Sequence, residues 1–390
     1  MSDDLVAALR REARDAPESG IVEVFNYGRG RPGLIPLWVG EGDLPTPAFI
    51  TDAAAKSLAA GETFYTHQRG IPELRAALAR YHERTYGKPS APERFFVTGG
   101  GMQAIQIAIR MVSGVGDEVI IPEPAWPNLT AAIGISGATP VPVPMTLGNN
   151  GWTLDLDRLF ASATDRTTAI VLNSPTNPTG WTAALDDLRA IRAFAAKRGL
   201  WIVADEVYHR FFYAGVRAPS FYDIADPDER ILFVNTFSKN WAMTGWRIGW
   251  LSAPPALGNA IENLIQYSTS GVAVFMQRAA TVALDEGDDF LHRQVARAHE
   301  GRDIVCSGLA ATGRARFAEP DGAFYLFFGI DGESDTRRLA LRLVDEANVG
   351  VAPGPTFGDS GAGYMRLCFA RDAQQIRQAT DRLADWIARQ

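Results

Sequence analysis

Six short apolar runs, at residues 94–98, 118–121, 169–172, 200–204, 231–234 and 248–251, punctuate the middle of this chain, with helical patterns between several of them. Runs this continuous belong to strands buried on both faces rather than to strands with one wet side. Strands of that kind joined by helices form a largely parallel sheet with helices over both faces. The stretch 72–86 sets Leu74, Leu78 and Tyr81 on one helical face and stops at Gly87, and 185–197 is a second helical pattern closed by Gly199. The chain is therefore expected to be α/β, a mostly parallel sheet covered by helices.

Length and punctuation divide it further. With 390 residues the chain has room for about two domains. Residues 29–47, with GRGRPG and GEGDLPTP, read as a loop entering the main domain. Beyond residue 282 long helices mix with sparse strands, and 336–347 and 374–387 are amphipathic, the latter through Ile376, Leu383 and Trp386. A large domain over 48–281 and a smaller α+β domain built from 1–47 and 282–390 follow as the expectation. A net charge of -7 supplies no basic field for nucleic acid or for a membrane surface. Only Cys306 and Cys368 are present, so there is neither a disulfide framework nor a zinc spacing. The first residues lack the apolar core of a signal peptide, no run approaches the length of a membrane helix, and the expected compartment is the cytoplasm.

In parallel sheets a ligand lies beyond the carboxyl ends of the strands, and the polar residues of this chain gather at such ends. After the run 231–234 comes NTFSKNWAMTGWR, residues 235–247, with Lys239 preceded by Thr236 and Ser238 and followed by Arg247. An ammonium just past a buried strand loses hydration unless it is solvated, paired or neutralised, and a Schiff base with an aldehyde cofactor neutralises it. Two hydroxyls and an arginine beside it suit a phosphate. VTGGGMQAI, 97–105, runs from a strand through three glycines into a helix, a place for a phosphate or simply a tight turn. It matches neither the dinucleotide fingerprint nor a P-loop, which speaks against a nicotinamide dehydrogenase. PEPAWPNL, 122–129, puts Trp126 in a strand-end loop, where an indole either packs or stacks on a planar ring. NSPTNPTG, 173–180, is a rigid turn whose Asn177 either satisfies its own backbone or points at a ligand oxygen. ADEVYHRF, 204–211, ends a strand on Asp205, a helix-cap candidate or a carboxylate awaiting a cation, with Tyr208 three residues on. Tyr65 precedes Gly70 and a helix opened by Pro72, and nothing local demands a role for it. In GYMRLCFA, 363–370, Arg366 lies inside an apolar run and so requires a carboxylate, structural or from a substrate.

Taken together, in this order and spacing, NSPTNPTG, ADEVY, TFSKNWAMTGWRIGW and the late MRLCF resemble the class I/II aminotransferases, pyridoxal-phosphate enzymes of fold type I akin to aspartate and aromatic aminotransferases. The likeness covers roughly residues 30 to 370. It implies that Lys239 is the Schiff-base residue and proton carrier and that Asp205 pairs with the cofactor's ring nitrogen. It implies that Asn177 and Tyr208 contact the ring oxygen and that Trp126 stacks on the ring. Gly101, Met102, Thr236, Ser238 and Arg247 would hold the phosphate, with Tyr65 reaching the phosphate of a neighbouring subunit in a homodimer. Gly40, in VGEGD, and Arg366 would meet the substrate carboxylate. The implied reaction moves an amino group between an α-amino acid and a 2-oxo acid; a β-lyase on the same scaffold would share every cofactor residue. Relatives that favour dicarboxylic substrates often carry a lysine directly after the paired glycines, where this chain has Met102. That departure points to neutral, apolar or aromatic amino acids, with glutamate or 2-oxoglutarate as partner, unless Arg29 or Arg31 serves a distal carboxylate.

Overall fold

The computed structural model describes residues 2–390. Seven strands form the main sheet: β1 (Phe95–Thr98), β2 (Glu118–Glu123), β3 (Thr139–Pro144), β4 (Thr167–Asn173), β5 (Trp201–Asp205), β6 (Ile231–Thr236) and β7 (Gly249–Ser252). Their order is β1-β7-β6-β5-β4-β2-β3, and every pairing is parallel except the two that β7 makes. Six of these strands correspond to the six apolar runs. The seventh, β3, has the sequence TPVPVP and carries no continuous apolar signal. Its prolines lack the N–H that an interior strand must donate on both sides, and they are tolerated because β3 lies at the sheet edge.

The reversed strand shapes the site. Gly249, at the start of β7, is opposite both Thr98 at the end of β1 and Thr236 at the end of β6. The glycine turn after β1 is thereby set beside the lysine-bearing segment after β6. The helix Pro72–Tyr86 begins with proline and ends at Gly87 in the left-handed region, and Leu185–Arg198 ends the same way at Gly199.

Four antiparallel strands form the second sheet in the order β8-β9-β11-β10: β8 (Ala315–Phe317), β9 (Tyr325–Ile330), β10 (Ala352–Pro353) and β11 (Met365–Cys368). The helices Asp288–Ala310 and Ala373–Ala388 pack on one another beside it. The N-terminal segment joins this unit, since Ile35–Pro36 pairs with Val349–Gly350 and the Cys368 amide donates to Leu37 O at 2.8 Å. A cut after residue 281 would fall inside the helix Val274–Glu286, which packs on Ala48–Ala59 and Pro72–Tyr86. The expected 336–347 helix is α-helical over Thr336–Arg342 and widens to a π turn over Leu343–Ala347. Among the described residues, no helix is long and apolar enough to cross a membrane.

One hydrophobic core runs without interruption from the main sheet into the small one. A second lies under the helices Ala48–Ala59, Pro72–Tyr86 and Val274–Glu286, around Trp241 and Trp250. Trp250 is fully buried in β7, with ring centroids 5.0 Å from Phe237 and 6.2 Å from Tyr81. Trp250→Ala should lower unfolding free energy by about 3–5 kcal/mol in urea titration, because the cavity opens in the strand that ties β1 to β6.

Candidate active site

Lys239 sits in the single helical turn Phe237–Asn240 that caps β6. Thr236 caps this turn, its hydroxyl accepting from the Ser238 amide at 3.1 Å and donating to Ser238 Oγ at 2.9 Å. The Lys239 side chain crosses to the loop before the first long helix and donates to Gly40 O at 2.7 Å. Among the described residues it meets no carboxylate within salt-bridge distance, and its amine lies 5.8 Å from the Tyr208 ring centre and 5.9 Å from that of Phe324. Burial pulls its pKa from the usual 10.5 down to about 8, with Arg366 and Arg247 as smaller contributors in the same direction.

Asp205 ends β5 and is 1% exposed. Its carboxylate accepts a single long bond, from the Val207 amide at 3.4 Å. Burial pushes it up to about 7, and the Lys239 charge opposes that shift only in part. In register beside it, Asn173 donates through Nδ2 to Asp205 O at 3.0 Å and accepts from the Asn177 amide at 2.9 Å. The turn that follows β4 thus holds Asn177 in place, with its Oδ1 accepting from Arg366 Nη1 at 3.0 Å.

Arg366, in the middle of β11, is 1% exposed. Its guanidinium donates to Asn177 Oδ1 and Trp38 O, and it lies over the rings of Tyr325 at 4.6 Å and Phe357 at 5.0 Å. Its Nε has no partner, and among the described residues no carboxylate pairs with it. A buried guanidinium without a counter-charge is a costly arrangement that an incoming carboxylate relieves.

The glycine turn completes the far wall. Gly100 has φ 84°, and a Cβ there would come within 2.5 Å of the Arg247 guanidinium. Gly101 opens the helix Gly101–Val112, whose first amides have no partner within the helix and face an anion-friendly end. Arg247 is itself held at φ 54°, its Nη1 donating to Thr244 O at 2.7 Å.

All of the residues that the family likeness assigns to the site, except Tyr65, line one cavity of about 310 Å³: Gly40, Gly101, Met102, Trp126, Asn177, Asp205, Tyr208, Thr236, Ser238, Lys239, Arg247 and Arg366. Tyr65 lies outside it and is 93% exposed, beside Phe64, which is 82% exposed. Sequence reasoning missed Tyr325, Asn173, Ile21 and Val39, which share the cavity wall. Tyr325 stands in the apolar stretch GAFYLFF and reads as core, whereas Asn173 was visible as the first residue of the Asn–Ser–Pro turn.

The chain matches the model of the aminotransferase class I and II family over residues 32–383. It belongs to that family. An aspartate aminotransferase of Thermotoga maritima is 34% identical over 91% of both chains, and aromatic-amino-acid aminotransferase 2 of Thermococcus litoralis 34% over 94% of both. A single mutant of Thermus thermophilus aspartate aminotransferase superposes with a TM-score of 0.90 at 33% identity, covering 97% of this chain and 99% of that one. The protein is a transaminase of fold type I, and the family's cofactor is pyridoxal 5'-phosphate. The cavity fits that group. It offers an unpaired buried carboxylate, a desolvated amine, and a helix N-terminus flanked by two hydroxyls and an arginine.

In cofactor-free enzyme, reductive methylation of Lys239 followed by peptide mass analysis should rise with a midpoint near pH 8. An ordinary lysine becomes reactive about two units higher, because its amine is neutral only above 10.

Proposed function

We propose that this transaminase acts on neutral, apolar or aromatic α-amino acids by a ping-pong reaction, with glutamate and 2-oxoglutarate as the second pair. The observation that carries the amino-acid assignment is Arg366, buried beside the cavity with no carboxylate among the described residues to neutralise it. Its free Nε and the fork it shares with Asn177 suit an α-carboxylate. Lys239 would hold the cofactor, Asp205 would pair with its ring nitrogen, and Asn177 and Tyr208 would meet its ring oxygen. Trp126 would stack on the ring, and Gly101, Met102, Thr236, Ser238 and Arg247 would take the phosphate. When bound, the cofactor supplies an electron sink for the negative charge that develops at the substrate Cα.

The chain's own residues do the rest. Arg366 fixes the carboxylate and thereby presents the Cα–H bond to Lys239. With a pKa near 8, the Lys239 amine is basic enough to take that proton and acidic enough to return it elsewhere. Gly40 O, its present partner, holds the amine at the cavity wall that both residues share. Burial raises the Asp205 pKa, and a ring N–H+ at that position would restore it to the carboxylate.

Side-chain preference follows from the cavity wall. Ile21, Val39, Met102, Ile105 and Trp126 are apolar, and the lining cations are Lys239, Arg247 and Arg366, each with a task already. Arg31 is drawn away to an ion pair with Asp345 and lies over the Tyr27 ring. The relatives are named for aspartate, aromatic and other amino acids, and the apolar wall favours the aromatic end of that range. The exposed Tyr65 and Phe64 support a homodimer in which Tyr65 reaches the partner's phosphate, as the family likeness implies. Two free, buried cysteines fit the cytoplasm.

Lys239→Ala should abolish transamination while leaving the far-ultraviolet spectrum unchanged. Arg366→Leu should lower kcat/KM by over a hundredfold, about 3 kcal/mol, since a buried charge pair is lost. Half-reactions of the holoenzyme with a panel of amino acids, followed by visible absorption, should favour phenylalanine, leucine or alanine over aspartate. Met102→Lys should improve aspartate by about tenfold. A wild-type preference for aspartate would overturn the side-chain assignment, and release of ammonia without transfer to 2-oxoglutarate would overturn the transfer chemistry.

A further inference from the structure

Tyr325 touches three parts of the site that no local sequence pattern connects. Its hydroxyl lies 2.7 Å from that of Tyr208. Its ring lies under the Arg366 guanidinium, 4.6 Å from centre to Cζ. Its hydroxyl also packs so tightly on Gly40 that a Cβ at Gly40 would overlap it. Gly40 is in turn the residue whose carbonyl receives the Lys239 amine.

The two hydroxyls have two protons but share only one hydrogen bond. Both side chains are buried, and among the described residues neither hydroxyl has another partner. Both tyrosines line the cavity, but only the Tyr325 hydroxyl is pressed against Gly40, where a Cβ would lie 2.2 Å from it. With Tyr325 as donor its crowded hydroxyl is satisfied, and the less crowded Tyr208 hydroxyl keeps a proton for the cavity. A hydroxyl that accepts one hydrogen bond also becomes the stronger donor in the next.

We infer that Tyr325 is a positioning residue for transamination, donating its proton to Tyr208 so that Tyr208 presents its own O–H to the cavity, while its ring sets the plane of Arg366. One side chain thereby aligns the donor for the cofactor's ring oxygen and the clamp for the substrate carboxylate. This rests on Tyr208 serving that ring oxygen, as proposed above.

The test is a pH titration of the holoenzyme's visible absorption, with steady-state kinetics, for Tyr325→Phe and Tyr325→Leu. Phenylalanine removes the hydroxyl and keeps the ring. A weaker donor at Tyr208 leaves the ring oxygen holding its negative charge less well, so the titration midpoint should rise by about half a pH unit or more. In the same variant kcat should fall by about tenfold, with KM for the amino acid within about twofold of wild type. Leucine removes the ring as well, and KM should then rise by about tenfold as the Arg366 face is lost. Thermal unfolding of Tyr325→Phe should stay near that of wild type, which separates positioning from scaffolding. A Tyr325→Phe enzyme with wild-type midpoint and kcat would overturn the inference, as would one whose KM rises as far as that of the leucine variant. A wild-type protein showing no visible band that titrates would instead overturn the cofactor assignment, and this inference with it.

Discussion

Three ionisable groups, Lys239, Asp205 and Arg366, face one cavity without a full counter-charge, and the rest of the structure depends on holding them there. Removing a charge from water costs several kcal/mol unless a partner replaces the hydration. The protein meets that cost partially: a carbonyl for Lys239, one long amide bond for Asp205, a carbonyl and an amide oxygen for Arg366. Under the proposed function, what remains unpaired would be met by a ring nitrogen, an aldehyde and an amino acid carboxylate. The strain is electrostatic, and binding of those groups would relieve it.

Such groups stay in place only if the backbone beneath them is rigid, and the main sheet supplies that rigidity. β4, β5 and β6 are adjacent and parallel, so Asn173, Asp205 and Thr236 emerge at one edge. The reversed β7 then wedges Gly249 between the ends of β1 and β6, bringing the Gly100–Gly101 turn against Thr236. The second sheet contributes Arg366 and Tyr325 from paired strands, and the N-terminal loop contributes Gly40 and the Trp38 carbonyl. A continuous apolar core joins the two sheets, so the clamp and the lysine are parts of one packed body.

Much of this was legible in the chain. Continuous apolar runs announced buried strands, and residues within about five positions of their ends proved to line the cavity, because chain direction and strand end are local properties. β3 escaped notice because its prolines deny it any strand pattern, and only its place at the sheet edge makes them tolerable. Tyr325 escaped because an aromatic in an apolar strand looks the same whether its hydroxyl meets a neighbour or nothing at all. Tyr65 shows the reverse case: named from a family motif, it stands 93% exposed, where a single chain offers it no partner.

By itself, then, the sequence determined which residues to look at, since lysine after a buried strand, aspartate at a strand end and arginine inside an apolar run are each anomalous against their own neighbours, and all three line one cavity. Only the tertiary structure decided what those anomalies mean to one another. That no carboxylate among the described residues pairs with Arg366, that burial pulls Lys239 down to about 8, and that Tyr325 ties Tyr208 to Gly40 follow from separation and solvent exclusion between residues tens to hundreds of positions apart. Periodicity along a chain records which face of an element is dry. Electrostatics is decided by everything that surrounds a group, and that is known only when the chain has closed.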